Sequence, residues 1–517
     1  MREERRNAWH DSRAVRTLYR ARRVVPLGAG RAGEWVLVDG RHVQRVGSGD
    51  PPSADRVVDL PGTTILPGFV DTHVHLTSTG VSLANADVAA TASREELLAV
   101  ARTRAGAGEG AVWLQGFDET AWADPRVPSL EELDAVTHRP LAIFRADGHV
   151  ALANRAAIDG AGVAGVRGLE RDGDGAPTGR LTEQAEQALR MWVVETLDAR
   201  AIEELQLAAA AVAASRGVTT VHEMSMPHWH GVRDLEVLLG HRQLLPVDAT
   251  PIVATTDVSH AVAEGFAAVG GDLPIDGSIG ARTAALAAPY ADGDGAGTSY
   301  FDDDELVAFF HGGHAAGLQV GIHAIGDRAI DQALTAWERV YRGLDSRERR
   351  HFRARRHRIE HFEMPSVAQV ERAAVLGLAV SIQPAFDRRW GFPGGLYDAA
   401  VGWQRASAMN PFRTMLERGV ELGVGSDAPV TPLDPWLAVA ALEEHHERRE
   451  RLSRSEAVAL HTSGSARLAH QEEKKGALEP GMHADLAAYE VDPFDVATVD
   501  GIRPILTVSL GCEVYAA

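Results

Sequence analysis

Six side chains able to bind metal or carry protons stand where apolar runs break off: Asp71, His73 and His75 in PGFVDTHVHL, His323 ending LQVGIH, His361 ending HRIEH, and Asp427 ending VELGVGSD. On a β-strand, residues two apart face the same way, so His73 and His75 could grip one ion. The pair alone carries little weight. With 22 histidines among 517 residues, chance supplies about one His-x-His, and a second, His228-Trp229-His230, reads as a loop between Pro227 and Gly231. Chance does not supply ligand types at several strand ends at once. Imidazoles with a carboxylate suit a divalent transition metal, zinc above all. Such an ion brings the pKa of a bound water to about 7 and polarises a carbonyl, while a nearby carboxylate moves the proton. Asp427 is the expected shuttle. His228, His230, His311, His314, His445 and His446, in loop, helical or turn text, read as structural.

The elements that must position these residues follow from periodicity. From Leu18 to Thr64, short β-prone runs alternate with Gly and Asp turns, and the style returns in GMHADLAAYEVDP and ILTVSLGCEVYAA near the C-terminus. The two ends therefore predict one small β-sandwich domain, residues 1–67 with 468–517. Between them, apolar strands alternate with Ala-rich amphipathic stretches, as in AIEELQLAAAAVAASRG before VTTVHEMS and LQVGIHAIGD before RAIDQALTAWERVYR. This alternation predicts a distorted (β/α)8 barrel over 68–467. Its strands all point their C-terminal ends to one face, where distant residues converge. Residues from about 78 to 185 break the alternation and read as an insertion. Trp113, Trp122, Trp229, Trp390 and Trp403 lie near predicted loops and are candidates for an apolar pocket wall.

Composition excludes several functions. A formal net charge of -20 disfavours nucleic acid and anionic membrane, which call for clustered Lys and Arg. No apolar run is long enough to span a bilayer, and no signal-type apolar core follows the Arg-rich start, so the expected compartment is the cytoplasm and the expected partner a small molecule. Any assembly is expected to be a homodimer. The single cysteine, Cys512, excludes an intramolecular disulfide and a cysteine metal cluster. The only lysines, Lys474 and Lys475, sit together in the polar stretch HQEEKKG, which leaves no P-loop or Schiff-base lysine in the barrel.

PGFVDTHVHL, DGSIGARTAAL, GIHAIGDRAI, RIEHFE and GSDAPV, followed by LHTSGSARL and GALEPGMHADLAAYEVDP, resemble the amidohydrolase superfamily, and more narrowly the amidohydrolase-3 group that includes N-substituted formamide deformylases. The resemblance implies a metal-dependent hydrolase. It also implies His73 and His75 as first-strand ligands, His323 as the fifth-strand ligand, His361 on the sixth strand, Asp427 as ligand and base on the eighth, and His149, Arg282 and Gln383 as substrate contacts. Many relatives hold two metals bridged by a carboxylated lysine on the fourth strand. That position here is Asp272.

Without a barrel lysine, the expected centre is a single zinc or similar divalent ion on His73, His75, His323 and Asp427, with His361 directing the attacking water. The alternative is a second ion, drawing in His361 and bridged by a carboxylate such as Asp272, Glu183 or Glu223. The expected reaction is hydrolysis of a non-peptide C–N bond in an amide, formamide or cyclic amide. The alternatives are heterocycle deamination on the same site and a metal-free scaffold protein.

Overall fold

The computed structural model describes residues 15–84, 86–88, 90–106, 111–119, 122–145, 150–227 and 232–517. Eight parallel strands form the barrel in sequence order: strand 1 (Phe69–Val74), strand 2 (Val218–Ser225), strand 3 (Asp248–Val253), strand 4 (Ala268–Val269), strand 5 (Gln319–Ala324), strand 6 (Arg358–His361), strand 7 (Ala379–Ile382) and strand 8 (Glu421–Val424). The ends of the sheet meet through a parallel bridge between Val74 and Ala428. Strands 1, 2, 6 and 7 are buried at every residue, as expected where helices cover one face of a parallel sheet and side chains fill the other.

The outer helices follow local rules. In the helix Asp327–Arg342, the buried residues Ala329, Ile330, Ala333, Leu334, Trp337 and Val340 recur every three or four positions and form the stripe that packs on the barrel. Trp337 lies between Phe310 and His357, with ring centroids 4.0 and 4.3 Å away. The helix Val367–Leu376 opens with a Ser366/Gln369 capping box and ends at Gly377, whose φ of 69° terminates it.

Both chain ends contribute to one seven-stranded sheet, in the order Cys512–Ala516, Leu506–Ser509, Leu486–Tyr489, Arg56–Pro67, Arg16–Val24, Gly33–Asp39, His42–Gly47. Its core includes Tyr19, Val36, Ile65, Leu486 and Val508. Lys475, set in a stretch that reads as polar surface, is 2% exposed. Its Nζ lies 3.0 Å from Asp485 and 3.1 Å from Asp248, and donates to the Thr220 hydroxyl at 2.9 Å. Two carboxylates make that burial tolerable.

The insertion is a compact unit of its own, spanning Gly80–Leu205 with a short later piece ending at Asp234. It holds a six-stranded sheet and its own apolar clusters around Leu114, Ile143 and Leu152, and around Phe144, Leu181 and Leu189. Trp122 belongs to the first cluster and donates its indole N–H to the Thr91 carbonyl. Trp113 packs edge-on to Trp192. Both are therefore core residues of this unit. Among the described residues, no helix is long and apolar enough to cross a membrane.

Candidate metal centre

The C-terminal ends of strands 1, 4, 5, 6 and 8 bring His73, His75, Asp272, His323, His361 and Asp427 together. Asp272 stands in the middle. Its Oδ2 is 3.7 Å from His73 Nε2 and 3.5 Å from His75 Nε2, while its Oδ1 is 3.0 Å from His323 Nδ1 and 3.2 Å from His361 Nε2. Asp427 Oδ1 closes the first side, 3.5 Å from His73 Nε2 and 3.2 Å from His75 Nε2. Zinc bonds of about 2.0–2.1 Å arranged tetrahedrally put donor atoms about 3.3 Å apart. The four imidazole-to-carboxylate spacings that join His73 and His75 to Asp272 and Asp427 bracket that value. His323, placed by sequence in one set with His73, His75 and Asp427, instead faces the far oxygen of Asp272.

Chain geometry makes the convergence possible. His361 and Phe362 have φ of 71° and 54°, and Asp427 has φ of 54°, a left-handed conformation costing roughly 1–3 kcal/mol for residues with a Cβ. The turn at His361 lets successive residues reach the same cluster, Glu360 to His73 and His361 to Asp272. Asp71 takes no part as a ligand in the described groups. It accepts the backbone N–H groups of His73 (3.1 Å) and Ser426 (3.0 Å), pinning strand 1 to the loop after strand 8. Asp276 accepts from Ala285, Ile325 and Gly326 backbone N–H groups at 2.8–3.0 Å and so ties the loops after strands 4 and 5 together.

The donor chemistry fits a cation. His73 Nδ1 faces the Glu360 carboxylate and His75 Nδ1 the Met224 carbonyl, each at 3.0 Å. Both acceptors require an Nδ1–H, leaving Nε2 with a lone pair directed at Asp272 and Asp427. His73 Nε2 is buried without a hydrogen-bond partner among the described residues. Burial disfavours charged His73 and His323, yet the carboxylates outweigh it. Asp272 and Asp427 raise His73 well above its ordinary value, and Asp272 lifts His323 to about 9. Burial pushes Asp272 up too, and its histidine neighbours hold it well below the usual carboxylate range. His361 is lowered, by burial and by His323. Two carboxylates buried among imidazoles thus call for positive charge.

Gln383 is 3% exposed at the end of strand 7. Its Nε2 is 3.4 Å from the Ser381 hydroxyl and its Oε1 has no partner among the described residues. Arg282 is held within its own loop: Nε and Nη2 bond Asp292, and Nη1 donates to the Ile279 and Gly280 carbonyls. Glu223 is buried and accepts the Leu76 N–H at 2.7 Å, at the start of the helix after strand 1. His149, His228, Trp229 and His230 lie outside the described residues, and the side chain of Glu183 does too. Trp390 packs on Phe386, whose ring lies parallel to His361 at 6.1 Å, while Trp403 packs on His446. His445 and His446 gather with Asp387, where His446 Nδ1 donates to Asp387 at 2.5 Å as a hydrogen-bonded pair.

Two polar groups near the centre escape the sequence reading. Glu360 lies beneath His73, and burial is outweighed by Arg358 and His73, which bring its carboxyl to about 2. Glu363, buried and raised to about 7 by burial, accepts from the Tyr397 hydroxyl at 2.6 Å. Arg358 and Glu360, opposite charges at i and i+2 of strand 6, share one face of that strand.

A parallel eight-stranded barrel with imidazoles and carboxylates at the C-terminal ends of its strands defines a metal-dependent barrel hydrolase. This chain belongs to the amidohydrolase family, whose model matches residues 56–515. It is 27% identical over 476 residues to YtcJ of Bacillus subtilis (strain 168), a protein bearing an amidohydrolase name, covering 85% of this chain and 86% of that one. It is 26% identical over 511 residues to the N-substituted formamide deformylase of Arthrobacter pascens, covering 90% and 91%. A crystal structure of a metal-dependent hydrolase from Pyrococcus horikoshii OT3 superposes with a TM-score of 0.79 at 25% identity, over 94% of this chain and 99% of that one.

Proposed function

We propose that the chain hydrolyses a non-peptide C–N bond of a small amide, with N-substituted formamides the first class to test, at a centre of two divalent ions bridged by Asp272. The carrying observation is the placement of Asp272, with one oxygen toward His73, His75 and Asp427 and the other toward His323 and His361. A carboxylate there takes the place that the missing barrel lysine would fill, which favours two ions over one. Zinc is the expected metal because nitrogen and carboxylate donors at this spacing suit it.

His73, His75, Asp427 and one oxygen of Asp272 would hold one ion, and the other oxygen of Asp272 with His361 and His323 would hold the second. When bound, the ions supply Lewis acidity toward the carbonyl and a nucleophilic water at neutral pH. The chain's residues handle the proton. Asp427, at the edge of the cluster, takes it from the water and delivers it to the departing nitrogen. The likeness to a formamide deformylase supports the C–N reading.

The test is product analysis across N-substituted formamides, acyclic amides, lactams, dipeptides and an aminopyrimidine, with metal content measured in parallel. Release of a carboxylic acid and an amine from the non-peptide amides is expected, with about two ions per chain in the wild type and at most one in Asp272→Ala. Ammonia from the aminopyrimidine alone would favour deamination, and cleavage confined to dipeptides would overturn the proposal.

A further inference from the structure

Beneath the metal centre, inside the barrel, lies a buried charge pair that no step above uses. Arg358 and Glu360 are both 0% exposed. Glu360 Oε1 accepts from Arg358 Nε at 2.8 Å, and its Oε2 lies 3.0 Å from both Arg358 Nη2 and His73 Nδ1. Arg358 is locked in turn. Its Nη2 donates to the Thr72 carbonyl at 3.0 Å and its Nη1 lies 3.2 Å from His222 Nδ1. A guanidinium only donates and a carboxylate only accepts, so the proton directions are fixed: Arg358 and His73 both donate into Glu360.

We propose that Glu360 is the positioning residue that holds His73 as an Nε2 metal ligand, and that Arg358 is what holds Glu360. The inference rests on the metal-centre reading above. Burying an ion pair in a barrel is costly, and an apolar pair would fill the space. What an apolar pair cannot do is hold the proton of His73 on Nδ1. His75 obtains the same service from a backbone carbonyl, which no side-chain change can remove.

Glutamine at 360 makes the idea sharp. It offers one oxygen to two donors. With that oxygen at the Oε2 position it accepts from both Arg358 Nη2 and His73 Nδ1, and only Arg358 Nε faces the amide NH2. The ring proton then stays on Nδ1 and Nε2 keeps the lone pair that the ion needs, against one repulsive contact with Arg358. Replacing Arg358 by methionine removes that contact and leaves the glutamine oxygen to His73, whereas leucine at 360 leaves His73 without its acceptor.

The experiment loads Co2+ into metal-free wild type, Glu360→Gln, Arg358→Met/Glu360→Gln and Arg358→Met/Glu360→Leu. It reads stoichiometry by mass spectrometry, affinity by chelator competition, and the ligand-field spectrum. Arg358→Met/Glu360→Gln and Glu360→Gln, which keep an acceptor for His73 Nδ1, should bind close to wild type with a similar spectrum. Arg358→Met/Glu360→Leu should bind its weaker ion about 10–100-fold less tightly with a changed spectrum. The two double variants lack the same charges and differ in the acceptor at 360, so a merely structural role would move both alike. Normal cobalt uptake by the wild type with indistinguishable double variants overturns this proposal alone. No uptake by the wild type overturns the metal-centre reading and this one with it.

Discussion

Asp276 illustrates how much the centre depends on groups that are not ligands. Its three hydrogen-bond partners among the described residues are backbone donors: Ala285 and Gly326 on Oδ2, Ile325 on Oδ1. Asp276→Asn can satisfy two of them and must set an NH2 against the third. A buried N–H without an acceptor costs about 1–3 kcal/mol, and that loss is expected in urea unfolding of the metal-free protein. An unchanged midpoint and slope would show that the loops close without this anchor. The sequence made the candidate ligands legible because imidazoles and carboxylates at the ends of apolar runs are chemically conspicuous. It concealed how Asp272 divides them, because carboxylate orientation is set by where five strands meet. Asp276, Arg358 and Glu360 were harder still: a buried charge and a surface charge are written with the same letters.

At the scale of elements, Lys475 ties a C-terminal segment to the start of strands 2 and 3, through Thr220 and Asp248, while also holding Asp485. Lys475→Met removes the cation and leaves Asp485, 3% exposed, without its charge partner. Losing one partner of a buried pair costs about 3–5 kcal/mol. The pH dependence has a definite sign. Burial lowers the lysine pKa, but Asp485 and Asp248 outweigh it, so the folded value lies above 10.5. The contribution is therefore fully present below the unfolded lysine value, about 10.4, and fades as pH rises through the folded one. The stability gap between wild type and variant should be flat from neutral pH to about pH 10 and narrow above it. A gap that widens at alkaline pH would contradict the assignment. The strand-and-helix alternation that predicts the barrel is legible because it is local. The burial of Lys475 is not, since its partners lie at 220, 248 and 485.

For the whole molecule, barrel closure and the metal centre share one seam. Strand 1 meets the end of strand 8 through the Val74–Ala428 bridge, the His75 N–H to Ala428 carbonyl bond (3.0 Å), the Asp427 N–H to His73 carbonyl bond (2.8 Å) and the Asp71 contacts to Ser426 and His73. Three proposed ligands, His73, His75 and Asp427, therefore lie on the seam itself. Metal binding and closure should stabilise each other, because an ion held by both edges favours only the closed arrangement. At a thousandfold excess over Kd, such linkage contributes about 4 kcal/mol. Chelation should then lower the unfolding temperature and speed amide hydrogen exchange first at residues 69–77 and 421–428. The seven-stranded sheet of the chain ends has its own apolar core around Tyr19, Ile65 and Val508 and holds no candidate ligand group among the described residues, so its exchange should change least. Uniform acceleration across both sheets would mean that the ion stabilises the chain without acting through the seam, and the coupling between closure and metal would have to be abandoned.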